Sequence, residues 1–190
     1  LRRALAAGRG VLILGCHLSN FDLSGIALCQ SLGRPVQVLS LANPPPGFEL
    51  FNNLRRQAGT QITPISPASL RVALRRLRAG GVVLTGVDRP TGDRDQPVAF
   101  FGATAYLPTG YIRIPLRTDS LVLTAATTYE NGAYQIHVNP PLEMVRTGDR
   151  ETDARVNLRR VLSEFETFIR RHPEQWMMFL PVWRAPAEIG

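Results

Sequence analysis

A histidine and an aspartate stand five residues apart near the start of the 190-residue chain, in the stretch Cys16-His17-Leu18-Ser19-Asn20-Phe21-Asp22. Imidazole takes up a proton near neutral pH, and a neighbouring carboxylate fixes its tautomer and stabilises the imidazolium. On one ideal helix the two side chains would point about 140° apart. We therefore expect His17 on a turn and Asp22 in the first turn of the next helix, where its carboxylate reaches the ring. Such a pair is a general base for a hydroxyl group.

The chain offers no GxSxG nucleophile elbow from which a serine would form a covalent intermediate. Cys16 adjoins His17, but adjacent residues of an extended chain point to opposite sides, which argues against a cysteine–histidine hydrolase. Direct attack by a substrate hydroxyl on a thioester fits the pair better than an acyl-enzyme. An alternative stays open at this point, because a turn histidine and a helix-capping aspartate would show the same spacing.

Short apolar runs and helical patterns alternate along the first half of the chain. Buried strands are predicted at residues 11–14, 36–41, 61–65 and 82–87, and helices at residues 23–32, 49–58 and 67–79. This alternation favours one α/β domain with a mixed, mostly parallel sheet flanked by helices. His17 then follows the carboxyl end of the first strand, where sites form in open α/β sheets.

The second half of the chain adds a short helix, a strand hairpin, a long helix and a last short strand, predicted at residues 111–116, 121–138, 152–171 and 176–180. We expect Trp176 to belong to the core. Residues 1–190 show no repeat or boundary, so they are expected to form one domain. Because the chain opens with Leu1 inside a helical pattern, we also expect an N-terminal segment before it, such as a membrane anchor.

The net charge is +7, and all 22 basic residues are Arg. Such a surplus favours anionic partners, among them phospholipid head groups, phosphorylated cofactors and an acidic carrier protein. No nucleic-acid-binding motif accompanies the arginines, so no nucleic-acid partner is predicted. The sequence contains no run of 18 apolar residues, so no membrane-spanning helix is predicted. The two cysteines lack metal-type spacing, so neither a metal nor a disulfide framework is expected.

The HLSNFD stretch at residues 17–22 resembles the HxxxxD/E motif of the lysophospholipid acyltransferase superfamily. Its last three residues, an asparagine, an aromatic residue and an acidic residue, are similar to those of the bacterial lipid A biosynthesis (lauroyl/myristoyl) acyltransferase branch. This branch includes phosphatidylinositol mannoside acyltransferases. Four later blocks resemble this branch in the same order: FNNLR at 51–55, AGGVVL at 79–84 leading into Asp88-Arg89, VAFFGATAYLPTG at 98–110, and PEQW at 173–176. The resemblance therefore covers nearly the whole chain.

The resemblance implies an acyltransferase of the glycerolipid acyltransferase-like fold, without a cofactor or a metal. His17 would deprotonate an acceptor hydroxyl, which attacks an acyl thioester carried on acyl carrier protein or coenzyme A, and Asp22 would orient His17. Arg55 would help to bind the acceptor, and both Arg55 and Arg89 could hold phosphate or carboxylate groups by forked hydrogen bonds. Asn20 is a further candidate for substrate binding.

Two other candidate substrate-binding residues carry open alternatives. Asp88 either supports the site or caps the loop after the fourth strand. The Phe100-Phe101-Gly102 stretch either lines an acyl-chain pocket, which needs apolar walls, or provides two core aromatics beside a turn glycine. Phe101 is the candidate if the stretch lines the pocket.

The acceptor is expected to be a membrane glycolipid or a lipid A-type precursor. A lysophospholipid or glycerol phosphate acceptor is the alternative for the same reaction, and a non-catalytic membrane-binding relative is the alternative to an enzyme. In each case the partner is a membrane surface, and the expected location is the cytoplasmic face of the inner membrane, with peripheral or anchored attachment.

Overall fold

The computed structural model describes residues 2–44, 47–92 and 95–183. Its strands are β1 (Val11–Gly15), β2 (Val36–Ser40), β3 (Gln61–Pro64), β4 (Val82–Gly86), β5 (Gln96–Phe100), β6 (Ala103–Leu107), β7 (Leu121–Glu130) and β8 (Ala133–Val138). Its helices are α1 (Arg2–Ala6), α2 (Phe21–Ser31), α3 (Phe48–Gln57), α4 (Pro67–Arg78), α5 (Arg113–Thr118) and α6 (Arg150–Arg171). Two short 3₁₀ helices lie at Gly110–Ile112 and Pro173–Gln175. Within the described ranges, no helix is both long and apolar enough to cross a bilayer.

Six strands form one sheet in the order β3-β2-β4-β1-β7-β8. β1 pairs in parallel with β4 and β7, and β2 pairs in parallel with β3 and β4. Only β8 runs antiparallel, beside β7. The sheet is therefore mixed and mostly parallel, which confirms the predicted α/β class.

β1 is the central strand, and its four apolar side chains are completely buried. Leu12 and Leu14 pack with α4 and α6 on one face of the sheet, whereas Val11 and Ile13 pack with Leu28 of α2 on the other. Successive side chains of a strand point to opposite faces, so helices are needed on both. Burying each such side chain stabilises the fold by about 1.5–3 kcal/mol. The turn that follows β1 is thus attached to the most buried part of the domain.

The β5–β6 hairpin is a feature that the sequence pattern did not predict. Gln96, Pro97 and Ala99 of β5 are exposed, so the strand shows only a weak alternation of apolar and polar residues. Phe101 and Gly102 connect the strands with φ values of 52° and 79°. Two positive φ values in succession are typical of the two-residue turn of a tight hairpin.

The last predicted strand, at residues 176–180, is wrong. The Pro173–Gln175 3₁₀ helix follows α6, and Trp176 then makes a single antiparallel bridge to Leu18 in the turn after β1. The segment cannot pair with β1 in the sheet, because β7 and β4 already occupy both edges of β1, and its Met177, Phe179 and Leu180 remain exposed.

Candidate active site

His17 lies on the turn between β1 and α2, as expected from the sequence. Ser19 has a left-handed φ of 51°, which reverses the chain direction within the turn. Asn20 then caps α2, because its side-chain oxygen accepts a hydrogen bond from the Leu23 N–H at 3.0 Å. The ring of Phe21 meets the imidazole edge-on, with 4.8 Å between the ring centroids. The turn and the first helical residue together hold the imidazole at the carboxyl edge of the sheet.

Gly86, the last residue of β4, makes room for the imidazole. A Cβ atom at this position would lie 2.8 Å from Cε1 of His17. Cβ atoms in folded proteins do not come this close to another heavy atom, so the imidazole would have to move. The φ angle of Gly86 is not in the left-handed region, so the need for glycine here is one of space alone. The ring of His17 therefore rests directly on the end of the neighbouring strand.

The carboxylate of Asp88 holds both the ring and the backbone of His17. Its Oδ1 lies 2.7 Å from Nδ1 of the imidazole, and its Oδ2 accepts a hydrogen bond from the His17 backbone N–H at 2.9 Å. The indole N–H of Trp176 donates to the same Oδ2 at 3.0 Å. Asp88 is completely buried. A carboxylate only accepts, so Nδ1 carries the hydrogen, and in the neutral form of the ring Nε2 keeps its lone pair.

The surroundings of Asp88 favour its ionised form. Burial by itself raises the pKa of this carboxyl, because desolvation penalises the charge. The charge of His17, its two hydrogen bonds and the Trp176 indole act in the opposite direction, and they hold the pKa of Asp88 below its ordinary value. The site is thus built to keep a negative charge beneath the imidazole.

The expectation that Asp22 orients His17 is wrong. Asp22 does lie in the first turn of α2, but its carboxylate forms an ion pair with the guanidinium of Arg55 on α3. The same guanidinium donates to Asn52 Oδ1 at 2.8 Å. The imidazole instead lies against the end of β4, where Asp88 is its partner. The acid of the motif therefore joins two helices, whereas the acid after β4 orients the histidine.

An apolar cavity of about 170 Å³ opens beside these residues. His17, Asp22 and Arg55 contribute to its lining, and so do apolar side chains of α2 and of strands β1, β2, β3 and β4, including Ile13, Leu28, Val38, Leu39, Ile62 and Leu84. The cavity therefore extends from the polar pair into the space between the sheet and the first helices. Apolar walls with few polar groups suit a ligand with a hydrocarbon part.

Three predicted substrate-binding residues fall in different places. Arg89 lines the cavity, and its buried Nε has no hydrogen-bond partner among the described residues. Arg55 also lines the cavity, but Asp22 and Asn52 already engage its guanidinium. Asn20 caps α2 and does not belong to the lining. Arg55 is therefore committed to an ion pair within the protein, whereas Arg89 has a guanidinium nitrogen without a partner in the described part of the chain.

Asp88 and Phe101 do not contact the cavity. Asp88 was a candidate for substrate binding, but it is completely enclosed and supports His17 instead. Phe101 was a candidate for the acyl pocket, but its ring packs against Phe100, Trp176 and Trp183, while its backbone N–H donates to Glu166 at 2.9 Å. The two phenylalanines are hairpin and core aromatics, as the alternative interpretation had it.

The role of Asp88 could have been found from strand pairing. β1 and β4 are parallel neighbours, and Gly15 lies opposite Gly86. Residues two positions beyond each strand, His17 and Asp88, then stand side by side at the same edge of the sheet. The sequence predicted both strands but not that they are neighbours, because two other predicted strands and three helices separate them along the chain.

Comparisons with known proteins support one family. The family described as bacterial lipid A biosynthesis acyltransferase matches residues 1–185. The chain is 27% identical over 188 residues to a phosphatidylinositol mannoside acyltransferase of Mycobacterium tuberculosis (strain ATCC 25618 / H37Rv), and 24% identical over 185 residues to one of Mycolicibacterium smegmatis (strain ATCC 700084 / mc(2)155). These alignments cover 97% and 96% of this chain but only 58% and 59% of the two relatives. The chain thus spans less than two thirds of the length of the relatives that it matches.

Proposed function

The chain belongs to the bacterial lipid A biosynthesis acyltransferase family, and we propose that it transfers a fatty acyl group from an acyl thioester to a hydroxyl of a membrane glycolipid. One observation carries the proposal: a histidine whose Nδ1 is held by a buried aspartate lines an apolar cavity. Nε2 of His17 has no hydrogen-bond partner among the described residues, so it is free to take a proton.

The reaction needs one base and no covalent enzyme intermediate. Nε2 of His17 removes the proton of the acceptor hydroxyl while its oxygen attacks the thioester carbonyl carbon. The tetrahedral intermediate collapses, the carbon–sulfur bond breaks, and the thiolate leaves with the proton that His17 carries. Asp88 keeps Nδ1 protonated and stabilises the imidazolium between these two steps. The products are an ester on the glycolipid and a free thiol.

The cavity gives the acyl chain a place beside the base. Its apolar lining extends between α2 and the strands, away from His17. Cys16 also lines the cavity, and burial raises the pKa of its thiol well above its ordinary value, so this side chain is neutral at physiological pH. We therefore propose that the thioester carbonyl lies near His17, with the first part of the hydrocarbon chain in this cavity.

Arg89 is the best placed group to bind an anion of either substrate. It lines the cavity beside the catalytic pair, and its Nε has no hydrogen-bond partner among the described residues. A guanidinium binds phosphate through two parallel hydrogen bonds, and both a phosphoglycolipid acceptor and a thioester of a phosphopantetheine carrier contain phosphate. The names of the two mycobacterial relatives favour an acceptor of the phosphatidylinositol mannoside type, and the family name favours a lipid A precursor.

Membrane contact is proposed for α3, whose apolar residues face outwards. Leu50, Phe51 and Leu54 are 64%, 48% and 49% exposed, whereas Asn52 is the buried residue of this helix. Phe48 and Arg55 of the same helix line the cavity, so the exposed apolar face adjoins the entrance. Amphipathic helices insert such a face into the head-group region of a bilayer. Because acyl thioesters are cytoplasmic substrates, we place the protein on the cytoplasmic face of the cell membrane.

The test supplies the purified protein with acyl-coenzyme A or acyl carrier protein thioesters and with acceptors in mixed micelles. The acceptors are phosphatidylinositol mannosides, a lipid A precursor, a lysophospholipid and glycerol phosphate, and mass spectrometry of the lipids detects the new ester. Transfer to a glycolipid supports the proposal. Transfer only to the lysophospholipid or to glycerol phosphate would mean that the acceptor belongs to that class and is not a glycolipid. Transfer to none of the four acceptors would contradict the proposed acyl transfer.

A further inference from the structure

The segment that follows α6 contacts the catalytic turn through its backbone. The Ser19 N–H donates to the carbonyl oxygen of Gln175 at 2.7 Å, and the Met177 N–H donates to the carbonyl oxygen of His17 at 2.8 Å. These two bonds form the antiparallel bridge between Leu18 and Trp176. The backbone on either side of Leu18, directly after His17, is thus attached to residues 175–177, which the proposed mechanism does not use.

The side chain of Trp176 completes the hydrogen-bonding of Asp88. Its indole N–H donates to Oδ2, which also accepts from the His17 backbone N–H. With two donors on Oδ2, the carboxylate is fixed in rotation, and Oδ1 is directed at the imidazole Nδ1. A buried carboxylate that loses one donor is left with an unmet desolvation cost. The indole therefore does more than fill space beside the site.

Two further contacts hold the indole in place. The side-chain amide of Gln175 accepts from the Tyr129 N–H at 2.8 Å and donates to the Tyr129 carbonyl at 3.0 Å, which attaches the segment to the end of β7. The ring of Trp176 packs edge-on against Phe100 and Trp183, with ring centroids 5.9 and 6.0 Å apart. Both contacts reduce the freedom of the indole before substrate arrives.

We propose that Trp176 is a positioning residue of the acyl transfer: its indole N–H fixes the rotation of Asp88, and Asp88 in turn holds His17 as the base. The inference rests on the proposed function and deepens it. It gives a physical reason for each polar group of the Gln175-Trp176 pair, since one amide anchors the segment to β7 and one indole reaches the buried carboxylate.

The decisive variant replaces Trp176 with 3-benzothienylalanine, which keeps the shape of the indole but has sulfur in place of the N–H. Trp176→Phe is the simpler companion variant. Trp183→Phe is the matched control. It removes an indole N–H from the same aromatic cluster, where the acceptor is the Phe100 carbonyl and not Asp88, and it keeps an aromatic ring beside Trp176. Thermal unfolding confirms that each variant is folded before its kinetics are compared.

General acid–base catalysis contributes about 10²–10⁴-fold, so a misoriented base should lower kcat by at least about tenfold. We expect this loss in both Trp176 variants, with KM within about twofold of the wild type because no substrate contact changes. Loss of the indole hydrogen bond also favours protonation of Asp88, so the lower limb of the pH profile of kcat/KM should move to higher pH. Trp183→Phe should leave kcat and the profile unchanged.

A second readout does not need turnover. The Nδ1 proton of His17, assigned by its absence in His17→Gln, should change its NMR chemical shift in the benzothienylalanine variant and not in Trp183→Phe. If the wild type transfers no acyl group, the proposed function fails, and this resonance still reports on the positioning role. If the wild type is active and the folded benzothienylalanine variant keeps its kcat, pH profile and resonance, the positioning role is overturned and the proposed function stands.

Discussion

Asp88 lies two residues beyond the end of β4, His17 lies two residues beyond the end of β1, and their side chains meet with 2.7 Å between Oδ1 and Nδ1. The paired last residues of these parallel strands are Gly86 and Gly15. The His17–Asp88 pair therefore continues the register of the sheet by two residues. Its geometry depends on the pairing of the two most central strands and not on a flexible loop.

Replacing His17 tests the base itself. His17→Ala should lower kcat/KM by at least about 10²–10⁴-fold, the usual contribution of a general base. Unfolding should remain cooperative, because the imidazole is part of a turn and not of the core. The matched control is His137→Ala, a partly buried histidine on β8 that hydrogen-bonds to Thr128 and does not line the cavity. Near-normal transfer by His17→Ala would end the proposed mechanism.

Asp88→Asn and Asp22→Asn separate the two acids. An amide at position 88 can donate to Nδ1, which would place the imidazole hydrogen on Nε2 and remove the base. An aspartate-to-asparagine change behind a catalytic histidine costs about 10⁴-fold in a serine protease, and we expect a loss of at least about 10²-fold here. Asp22→Asn breaks only the ion pair with Arg55, so its effect on kcat should be smaller.

The comparison of these two variants is made by steady-state kinetics with one donor and one acceptor. Equal losses would mean that the ion pair between α2 and α3 also sets the geometry of the base. A larger loss for Asp22→Asn than for Asp88→Asn would contradict the assignment of Asp88 as the partner of His17.

The fold was largely accessible from the sequence, because β1 and β4 are short apolar runs that lie between glycines, and strand and helix patterns alternate along the chain between them. The family resemblance of the HLSNFD stretch singled out His17 as the candidate base, a role that stays a prediction. The β5–β6 hairpin was not predicted, because three of the five residues of β5 are exposed and one of them is Pro97. The pattern of apolar and polar residues alone cannot predict a strand that buries so few side chains.

The partner of His17 was predicted wrongly for a different reason. Asp22 is close in sequence, and closeness in sequence favoured it over Asp88, which is 71 residues away from His17. Side-chain partners at the edge of a parallel sheet are set by strand order, which local patterns do not encode. The role of Trp176 was likewise not accessible from local patterns. Its apolar ring predicted a core residue, but its indole N–H also donates to the buried carboxylate of Asp88.

Gly86→Ala should displace the imidazole without unfolding the domain. The added methyl would lie 2.8 Å from Cε1 of His17, so the ring must turn away from its position over β4. Alanine in a strand interior is favoured over glycine by roughly 0.5–1 kcal/mol, so the thermal midpoint should not fall greatly. We expect kcat to drop by at least about tenfold. Gly110→Ala is the control, because a Cβ there meets no atom within 4 Å.

Membrane binding should depend on the outward apolar face of α3. The double variant Leu50→Glu/Phe51→Glu should reduce cosedimentation with vesicles that contain anionic phospholipid, because glutamate removes apolar area and adds repulsion. Val72→Glu is the control, since Val72 is 38% exposed on α4, which packs on the opposite face of the sheet. Unchanged cosedimentation of the α3 variant would assign membrane contact to another surface.

The ionisation of Asp88 also predicts how stability depends on pH. Its pKa is lower in the folded protein than the ordinary value near 3.8, so the folded state binds this proton less readily than the unfolded chain. The stabilisation by Asp88 is then complete above that ordinary value and is lost as the pH falls through the folded pKa. Urea denaturation of the wild type and Asp88→Asn should therefore give a larger difference in unfolding free energy at about pH 7 than at about pH 3. A difference that stays constant, or grows on acidification, would mean that the carboxyl beneath His17 is neutral in the folded protein and cannot stabilise an imidazolium.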